Sequence, residues 1–280
     1  MQTDSTISIL GCGWLGLPLA KKLKQIGFKV KGTTTTPDKL KVLAGAGIVP
    51  YQIYLAAATP ESLADFLKTD LLIISFPPKI RAGKGDEYIA QINILQQAIR
   101  QSSVKCILFI SSTSVYPDLN TTITEATDIS STLSQNYLLQ AEAAIQSTQV
   151  PTTILRFAGL VGPNRHPGRF FAGKEHVANP QGPVNLIYLE DCVQIIIEIL
   201  KQDKWGQVYN ACANEHPTRQ AFYTSATAAL DLPLPHFVPP NPADTFKIIS
   251  NKKLKKDLQY RFIYPNPMFF KELLPKNKEV

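Results

Sequence analysis

The sequence predicts an α/β fold in which helices cover both faces of a doubly wound parallel sheet. Short apolar runs alternate with segments of helical period from residue 7 to residue 157, which is the pattern of a parallel sheet with right-handed crossovers. Two of the runs, 71–76 and 106–111, are almost continuously apolar, as in strands that are buried on both faces. The chain has 280 residues, of which 44% are hydrophobic and 18% are charged, so it is long enough for one large core and a second, smaller region.

The individual elements follow from the hydrophobic period and from the residues that begin or end a helix. A first strand over 7–10 runs into a glycine, and the period of 3.6 residues over 15–26 predicts a helix that Gly27 ends. Pro37 lies in the first turn of the next helix, where proline is tolerated. The other predicted strands are 28–34, 50–55, 71–76, 106–111 and 152–157, and the other predicted helices are 37–46, 60–67, 87–101 and 133–146.

The regular alternation of apolar runs and helical segments ends shortly after the middle of the chain, at about residue 157. Glycine and proline are frequent over 159–183, and residues 215–280 contain a run of prolines and two short helical patterns. Between these segments, a helix over 187–200 and a strand over 207–211 are predicted to return to the sheet. We therefore expect a sheet domain over 1–160, to which 184–212 returns, and a smaller irregular substrate or lid region formed by 161–183 and 213–280.

Composition and charge exclude several classes of protein. The net charge of +7 comes largely from lysines that are scattered or near the C-terminus, without a long basic run. We therefore expect solvated helix faces and no nucleic-acid partner. No stretch approaches the roughly 18 apolar residues that span a bilayer, and the N-terminal segment lacks the basic region of a secretory signal. We expect no membrane partner and a cytoplasmic protein.

The cysteines and histidines show no spacing typical of a metal site or of a disulfide framework. Each cysteine lies in or beside an apolar segment, which favours buried free thiols in a reducing compartment. We therefore expect no metal ion. The four cysteines are Cys12, Cys106, Cys192 and Cys212.

A glycine-rich segment lies directly between the first predicted strand and the first predicted helix. It reads GCGWLG, the pattern of a Rossmann dinucleotide-binding turn. The first glycine permits a tight turn, the second lets the backbone approach a pyrophosphate, and the third lets the helix pack on the strand. The N–H groups at the start of the helix attract phosphates. A purely structural glycine turn is the alternative. We expect a nicotinamide dinucleotide to contact Gly11, Cys12, Gly13, Trp14, Leu15 and Gly16.

The end of the second predicted strand bears on the choice between NAD and NADP. NAD-binding proteins usually place an acid there to hold the ribose 2′-hydroxyl, whereas residues 32–39 of this sequence read GTTTTPDK. Asp38 follows a proline and is expected to be a first-turn helix acid. The hydroxyl groups of Thr34 and Thr35 and the ammonium group of Lys39 suit a 2′-phosphate, which an acid would repel. The sequence therefore favours NADP over NAD.

Four segments together resemble the extended short-chain dehydrogenase/reductase superfamily, in its NAD-dependent epimerase/dehydratase group. They are GCGWLG (11–16), ISSTSVYPD (110–118), LRFAGLVGPNR (155–165) and VNLIYLEDC (184–192). The group includes nucleotide-sugar epimerases, and its chemistry is hydride transfer at a nicotinamide. The resemblance therefore implies an oxidoreductase or epimerase that acts on a small anionic, hydroxylated substrate. The shortened glycine pattern suggests an atypical subgroup.

The resemblance also implies contacts outside the glycine turn. The carboxyl ends of the strands in such a sheet converge on one crevice, and members of the group lay the chain after the fourth strand against the dinucleotide. The residues expected to contact the dinucleotide there are Phe76, Pro77, Pro78 and Ser111. The loop that follows 152–157 resembles the substrate loop of the group. The residues expected to contact substrate are Tyr116, Arg165, His166 and Arg169.

The catalytic residues of the group are matched only in part. In the group, a serine or threonine holds the substrate oxygen, and a lysine lowers the pKa of a tyrosine that lies four residues before it. Ser112 matches the serine and Tyr137 lies at the spacing of the tyrosine, but Ala141 stands where the lysine is required. A second alignment also lacks the lysine, because residues 106–173 contain none.

Two functions therefore stay open. An enzyme would use other groups near the nicotinamide, whereas a non-catalytic NADP-binding sensor or regulatory protein would need no acid or base there. The elaborate loop after the strand over 152–157 favours the enzyme, which we prefer, and the absent lysine favours the sensor. Relatives often dimerise through the helices that here are 87–101 and 133–146, so the resemblance is compatible with a homodimer.

Overall fold

The computed structural model describes residues 4–273, apart from the side chains of Arg81 and of 271–273. Two compact units interleave along the chain. The first unit comprises Met1–Ser111, Asp128–Leu155 and Ile196–Val208, and the second comprises Ser112–Thr127, Arg156–Ile195 and Tyr209–Val280.

The strands are short, with three to seven residues each. They are β1 (Thr6–Leu10), β2 (Lys29–Thr34), β3 (Val49–Gln52), β4 (Leu71–Ile74), β5 (Cys106–Ser112), β6 (Thr121–Ile123), β7 (Thr152–Phe157), β8 (Gly159–Val161), β9 (Leu186–Tyr188), β10 (Val208–Ala211) and β11 (Lys247–Ile249). The α-helices are α1 (Gly16–Gln25), α2 (Asp38–Gly45), α3 (Pro60–Leu63), α4 (Gly85–Arg100), α5 (Tyr137–Gln146), α6 (Leu189–Lys201), α7 (Arg219–Ala228) and α8 (Lys252–Leu258). None of the helices in the described chain is long and apolar enough to cross a membrane.

The predicted doubly wound parallel sheet is confirmed. Seven strands form one sheet in the order β10-β7-β5-β4-β1-β2-β3. In it β1 pairs in parallel with β2 and β4, β2 pairs with β3, and β4 pairs with β5. The strand order reverses between β1 and β4, and ligands of such sheets bind at the carboxyl ends of the strands on either side of this switch point.

The core is centred on β4, as its continuous apolar sequence predicts. Leu71, Leu72 and Ile73 are 0% exposed, and so are Ile7 and Ile9 of the neighbouring β1. Burial on both faces fixes the register of these strands, because a shift by one residue would exchange the two faces. The carboxyl ends of β1 and β4 are therefore held at one fixed edge of the sheet.

Two helices of the first unit are shorter than their sequences predict. The predicted helix 133–146 begins only at Tyr137, because the side chain of Asn136 accepts hydrogen bonds from the N–H groups of Leu138 and Leu139 and so caps the helix there. The preceding residues, Ser130–Gln135, form a 3₁₀ helix. The predicted helix 60–67 ends at Leu63.

The start of the predicted helix 187–200 is wrong. Residues Leu186–Tyr188 form β9, which pairs in parallel with β8, and α6 begins only at Leu189. A short apolar run has the same appearance in a buried strand and in a buried helix, so its period does not distinguish them. The second short parallel pair, β6 with β11, joins segments far apart in the sequence and was not predicted.

A buried carboxylate holds the second unit together next to β9. Asp191, in the first turn of α6, is 0% exposed. Its oxygens accept hydrogen bonds from the hydroxyl group of Tyr260 (2.7 Å) and from the N–H groups of Ile263 (2.8 Å) and Tyr264 (3.0 Å). Burial raises the pKa of Asp191, and the three donors act in the opposite direction. This carboxylate ties the segment 260–264 to α6.

We expect Asp191→Ala to lower the free energy of unfolding by about 3 kcal/mol, because it leaves three buried donors without an acceptor. The matched control is Glu190→Ala, which removes an exposed carboxylate that accepts one hydrogen bond from the hydroxyl group of Tyr264 (2.8 Å). It should cost less than about 1 kcal/mol. Denaturant unfolding measures the free energy of unfolding of both variants. Equal losses in the two variants would contradict the role of Asp191 in holding the segment 260–264 to α6.

Candidate functional site

A cleft in the first unit lies where several strands of the sheet end. Its volume is ≈ 530 Å³, and its walls come from the segments that follow β1, β2, β3 and β4. Residues expected from the sequence to contact the dinucleotide make up much of it. Those that line the cleft are Gly11, Cys12, Gly13, Thr34, Thr35, Lys39, Phe76, Pro77 and Pro78. Trp14, Leu15, Gly16 and Ser111 do not line it.

The turn after β1 depends on a glycine. Gly11 has a φ of +108°, in the region that favours glycine, and an added Cβ would lie 3.0 Å from the backbone of Ser75 and Phe76 at the end of β4. The N–H group of Gly11 donates to Oγ1 of Thr33 (2.8 Å), and that of Cys12 donates to the carbonyl oxygen of Thr33 (2.9 Å). The turn is therefore fixed to both neighbouring strands.

The other two glycines of the turn differ in their surroundings. A Cβ added to Gly16 would overlap the carbonyl oxygen of Gly11, whereas one added to Gly13 would meet no atom within 4 Å. Gly16 thus lets α1 approach β1, and Gly13 borders open space. No side chain caps the start of α1, and its first turn contains no acid. This cradle fits the pyrophosphate of a dinucleotide, which a side chain at position 13 would displace.

The cysteine of the turn is a packing residue. Cys12 is 5% exposed, and a Cβ on Gly32 would meet its sulfur at 2.6 Å. Burial raises the pKa of the Cys12 thiol to about 12, so the thiolate that would react as a nucleophile is scarce at neutral pH. The neighbouring Leu15 is also buried, at 6% exposed.

Hydroxyl groups and one lysine border the cleft at the end of β2. Oγ1 of Thr34 accepts a hydrogen bond from the N–H group of Thr36 (3.1 Å). The hydroxyl group of Tyr54 donates to the carbonyl oxygen of Thr35 (2.5 Å). Lys39, in the first turn of α2, is exposed and lines the cleft, whereas its neighbour Asp38 does not line it. The charge at this end of the cleft is therefore positive.

Sequence reasoning missed the wall that α4 and the segment before it contribute. Lys79, Lys84 and Glu87 line the cleft, and Nζ of Lys84 forms an ion pair with Glu87 (2.8 Å). Lys79 has a φ of 49°, which is uncommon for a residue other than glycine. Because the carboxyl ends of parallel strands meet at one edge of a sheet, the sequence could have placed the segment after β3, with Tyr54, in the cleft wall. No local signal in the sequence shows which face of α4 borders the cleft.

Ser111 lies at the end of β5 and is engaged within the first unit. Its hydroxyl group donates to Oε1 of Glu142 on α5 (2.5 Å), and both residues are buried. This bond links the sheet to α5.

Tyr137 is in an environment opposite to that of an activated tyrosine. Its hydroxyl group donates to Oδ1 of Asp86 (3.1 Å), and this carboxylate raises the pKa of Tyr137. The ring lies against Gly85, where an added Cβ would overlap it. A catalytic phenol needs a pKa that is lowered towards neutrality. In the described part of the chain, the contacts of Tyr137 with Gly85 and Asp86 instead give it a packing role at the start of α4.

Ser112, the last residue of β5, and Tyr116, four residues later, belong to the second unit. Oγ of Ser112 accepts a hydrogen bond from the N–H group of Ser114 (3.1 Å). The hydroxyl group of Tyr116 accepts a hydrogen bond from Nη1 of Arg156 (2.7 Å) and donates to Oδ1 of Asn210 (2.9 Å). Tyr116 is 2% exposed, and burial raises its pKa although the guanidinium group acts in the opposite direction.

The loop after β8 brings His166 and Arg169 together in the second unit. His166 is buried, and its Nδ1 accepts a hydrogen bond from the N–H group of Gly168 (3.1 Å). Burial and the charge of Arg169 lower the pKa of His166 and so favour the neutral imidazole. Arg165 and Arg169 are exposed. Within residues 4–273, no group of three His, Cys, Asp or Glu residues is arranged to hold a metal ion.

Comparison with curated proteins gives a relative that matches nearly the whole chain. No protein-family model matches the chain. The chain is 37% identical over 272 residues to protein YeeZ of Escherichia coli (strain K12), with 94% of this chain and 97% of YeeZ covered.

Solved structures share the fold. A protein from Methylobacillus flagellatus, provisionally described as an NAD-dependent epimerase/dehydratase, matches with a TM-score of 0.73 and 25% identity over 94% of each chain. The UDP-glucuronic acid 4-epimerase from Bacillus cereus, in complex with UDP-glucuronic acid and NAD, matches with a TM-score of 0.74. It is 16% identical over 96% of this chain and 97% of that chain, a likeness that concerns the fold.

We expect Gly16→Ala to lower the free energy of unfolding by about 1 to 3 kcal/mol, because the new methyl group meets the backbone of Gly11. The loss should appear although alanine is the better helix former by about 1 kcal/mol. Gly13→Ala is the matched control and should change stability by less than about 0.5 kcal/mol. Denaturant unfolding of both variants measures the difference, and a stable Gly16→Ala protein would refute the close packing of α1 on β1.

For Tyr137 we expect a pKa above the ordinary value of about 10, and Asp86→Asn should lower it towards that value. Removing the carboxylate removes the repulsion between it and the phenolate. Carbon-13 NMR of ring-labelled tyrosine follows the titration, and Tyr137→Phe identifies the signal. A pKa near 7 in the wild-type protein, with or without NADP, would instead mark Tyr137 as an acid–base group.

Proposed function

The chain belongs to the extended short-chain dehydrogenase/reductase superfamily, in the family of YeeZ, and on that premise we propose that it is an NADP-dependent oxidoreductase or epimerase-like enzyme. The observation that carries the proposal is the cradle at the end of β1. There Gly13 borders open space, and α1 begins without a side-chain cap or an acid. A bound nicotinamide dinucleotide would supply a site for hydride transfer.

The residues that would hold the dinucleotide lie in the cleft of the first unit. The backbone of Gly11, Cys12 and Gly13 would bind the pyrophosphate, with the partial positive charge at the start of α1. Phe76, Pro77 and Pro78 would flank the nucleotide, since they line the same cleft. Trp14, Leu15 and Ser111 do not line the cleft, and we propose that they support the turn and the sheet behind it.

The positive end of the cleft supports NADP rather than NAD. Lys39 and the threonines after β2 line it, and Asp38 does not. An ammonium group and hydroxyl donors stabilise the two negative charges of a 2′-phosphate. A neutral ribose 2′-hydroxyl is bound best by a carboxylate, and none lines this end of the cleft among the described residues.

The substrate that we propose is a small anionic, hydroxylated molecule such as a nucleotide sugar. The fold is shared with an epimerase crystallised with UDP-glucuronic acid, and the second unit presents Arg165 and Arg169 on an exposed loop. Arginine side chains bind phosphate and carboxylate groups in a bidentate manner. Ser112 is the proposed contact to a substrate oxygen, and Tyr116 and His166 are proposed substrate residues that are both buried.

A non-catalytic NADP sensor is the second candidate, and the environment of Tyr137 favours it. A phenol next to the carboxylate of Asp86 does not supply the proton transfers that hydride chemistry at a hydroxyl group requires. Incubation with NADP and a panel of UDP-hexoses and UDP-hexuronates separates the two functions when the absorbance band of reduced nicotinamide and the sugar products are both followed, because an epimerase returns the hydride and leaves no net reduced nicotinamide. Turnover that depends on Ser112 supports the enzyme, and tight NADP binding with no turnover supports the sensor.

We expect NADP to bind at least about tenfold more tightly than NAD, because the 2′-phosphate meets Lys39. Lys39→Glu should lower the affinity for NADP by about tenfold or more and change the affinity for NAD by less than about threefold. Isothermal titration calorimetry measures the four affinities.

The control for this experiment is Lys41→Glu, which changes the same charge on the same helix at an exposed position outside the cleft. It should leave both affinities close to those of the wild-type protein. Gly13→Glu should abolish binding of both dinucleotides without unfolding the chain. Tighter binding of NAD than of NADP would contradict the predicted specificity, and retained binding in Gly13→Glu would contradict the site.

A further inference from the structure

Two cations of the second unit are stacked on one aromatic ring. Nζ of Lys174 lies 5.0 Å from the centroid of the Phe171 ring, and Cζ of Arg219 lies 5.2 Å from it. The two positive charges are therefore at most about 10 Å apart, close enough to repel each other across an exposed surface. We propose that Lys174 and Arg219 form a binding site for an anionic group, a phosphate or a carboxylate, beside Phe171.

The ring is held in place by the core of the second unit. Phe171 packs edge-on against Tyr223 of α7, with the ring centroids 4.4 Å apart and the planes at 60°. The preceding turn is locked to the same helix, because a Cβ on Gly168 would overlap the carbonyl oxygen of Ala226. In addition, the hydroxyl group of Thr227 donates to the carbonyl oxygen of Gly168 (2.9 Å). Phe171 is therefore a fixed platform.

The backbones that carry the two cations are also fixed. The N–H group of Lys174 donates to the carbonyl oxygen of Phe171 (3.1 Å), and the N–H group of His236 donates to that of Lys174 (2.9 Å). Arg219 is the first residue of α7, and its N–H group donates to the carbonyl oxygen of Gly182 (2.8 Å). Both cations are therefore carried by fixed backbone beside one ring, which lowers the entropy lost when a ligand binds.

No acid of the described chain neutralises the pair. The carboxylate that follows Lys174 in sequence, Glu175, is bonded to Nδ1 of His236 (2.8 Å). Nε of Arg219 is buried and meets no hydrogen-bond acceptor within residues 4–273. A buried donor without an acceptor is costly, so a rotation of the guanidinium group that presents this N–H to a ligand oxygen would relieve that cost. The unmatched charge and the unsatisfied donor therefore point to the same kind of ligand.

This inference extends the proposed function, since the anion would be the acidic group of the substrate. A guanidinium group binds phosphate or carboxylate through paired N–H donors, and an ammonium group adds a point charge. The site is separate from the predicted pyrophosphate cradle in the first unit, so the two can be tested independently.

The test uses the full chain with Gly13→Glu, which removes the cradle as a competing anion site. Pyrophosphate and malonate serve as probes for a phosphate and a carboxylate. Calorimetry measures affinity, and the NMR signal of the Arg219 Nε–H group reports contact with the probe. We expect one probe to bind and to shift this signal. Arg219→Gln and Lys174→Gln, each added to Gly13→Glu, should weaken that binding by about tenfold or more.

The control is Lys256→Gln, which removes the same charge from an exposed position of α8 and should leave the affinity unchanged. Thermal unfolding checks that each variant is folded, and Lys174 is exposed, so its substitution tests the site even if Arg219→Gln is unstable. Preference for pyrophosphate assigns a phosphate, and preference for malonate assigns a carboxylate. Failure of both probes to bind, or undiminished binding in Lys174→Gln, overturns the proposal. Failure of the wild-type chain to bind NADP would overturn the proposed function and leave this site standing.

Discussion

The close approach of α1 to the end of β1 is the constraint on which the cleft depends. A side chain at Gly16 would occupy the position of the Gly11 carbonyl oxygen, and a side chain at Gly11 would press on the backbone after β4. Two absent side chains thus bring the first N–H groups of α1 to the switch point of the sheet. Contacts at Gly11 and Gly16 fix the two ends of the turn, and Gly13 between them borders open space. Hydrophobic burial of β1 and β4 makes this arrangement rigid.

Tyr137, which the resemblance places at the spacing of the acid–base tyrosine, makes contacts of a different kind. Tyr137 is bonded to Asp86 and packed over Gly85, so it links the starts of α4 and α5. A carboxylate in place of a cation reverses the sign of the effect on the phenol, because it stabilises the protonated form. The alanine at position 141 and the carboxylate of Asp86 near the phenol are therefore consistent with each other, because neither favours the phenolate.

The parts of the fold and site that could be predicted from the sequence are those set by local pattern. The glycine turn and the buried run of β4 depend on neighbours in sequence, and the structure has them as expected, although β3 and β4 end at Gln52 and Ile74, a few residues earlier than predicted. The contact of Asp86 with Tyr137, and the pairing of β8 with β9, depend on segments 25 or more residues apart, for which a single sequence gives no signal. The cofactor preference and the substrate residues stay predictions, since they concern ligands.

The interleaving of the two units has a consequence for how the chain is made. Synthesis on the ribosome delivers β1 to β5 first, but β7, the neighbour of β5 in the sheet, follows only after the first segment of the second unit. Until β7 emerges, β5 has a partner on one side only and presents an unpaired apolar edge, which is prone to aggregation. During this stage of synthesis, a chaperone that covers the unpaired edge of β5 would protect the nascent chain from aggregation most effectively.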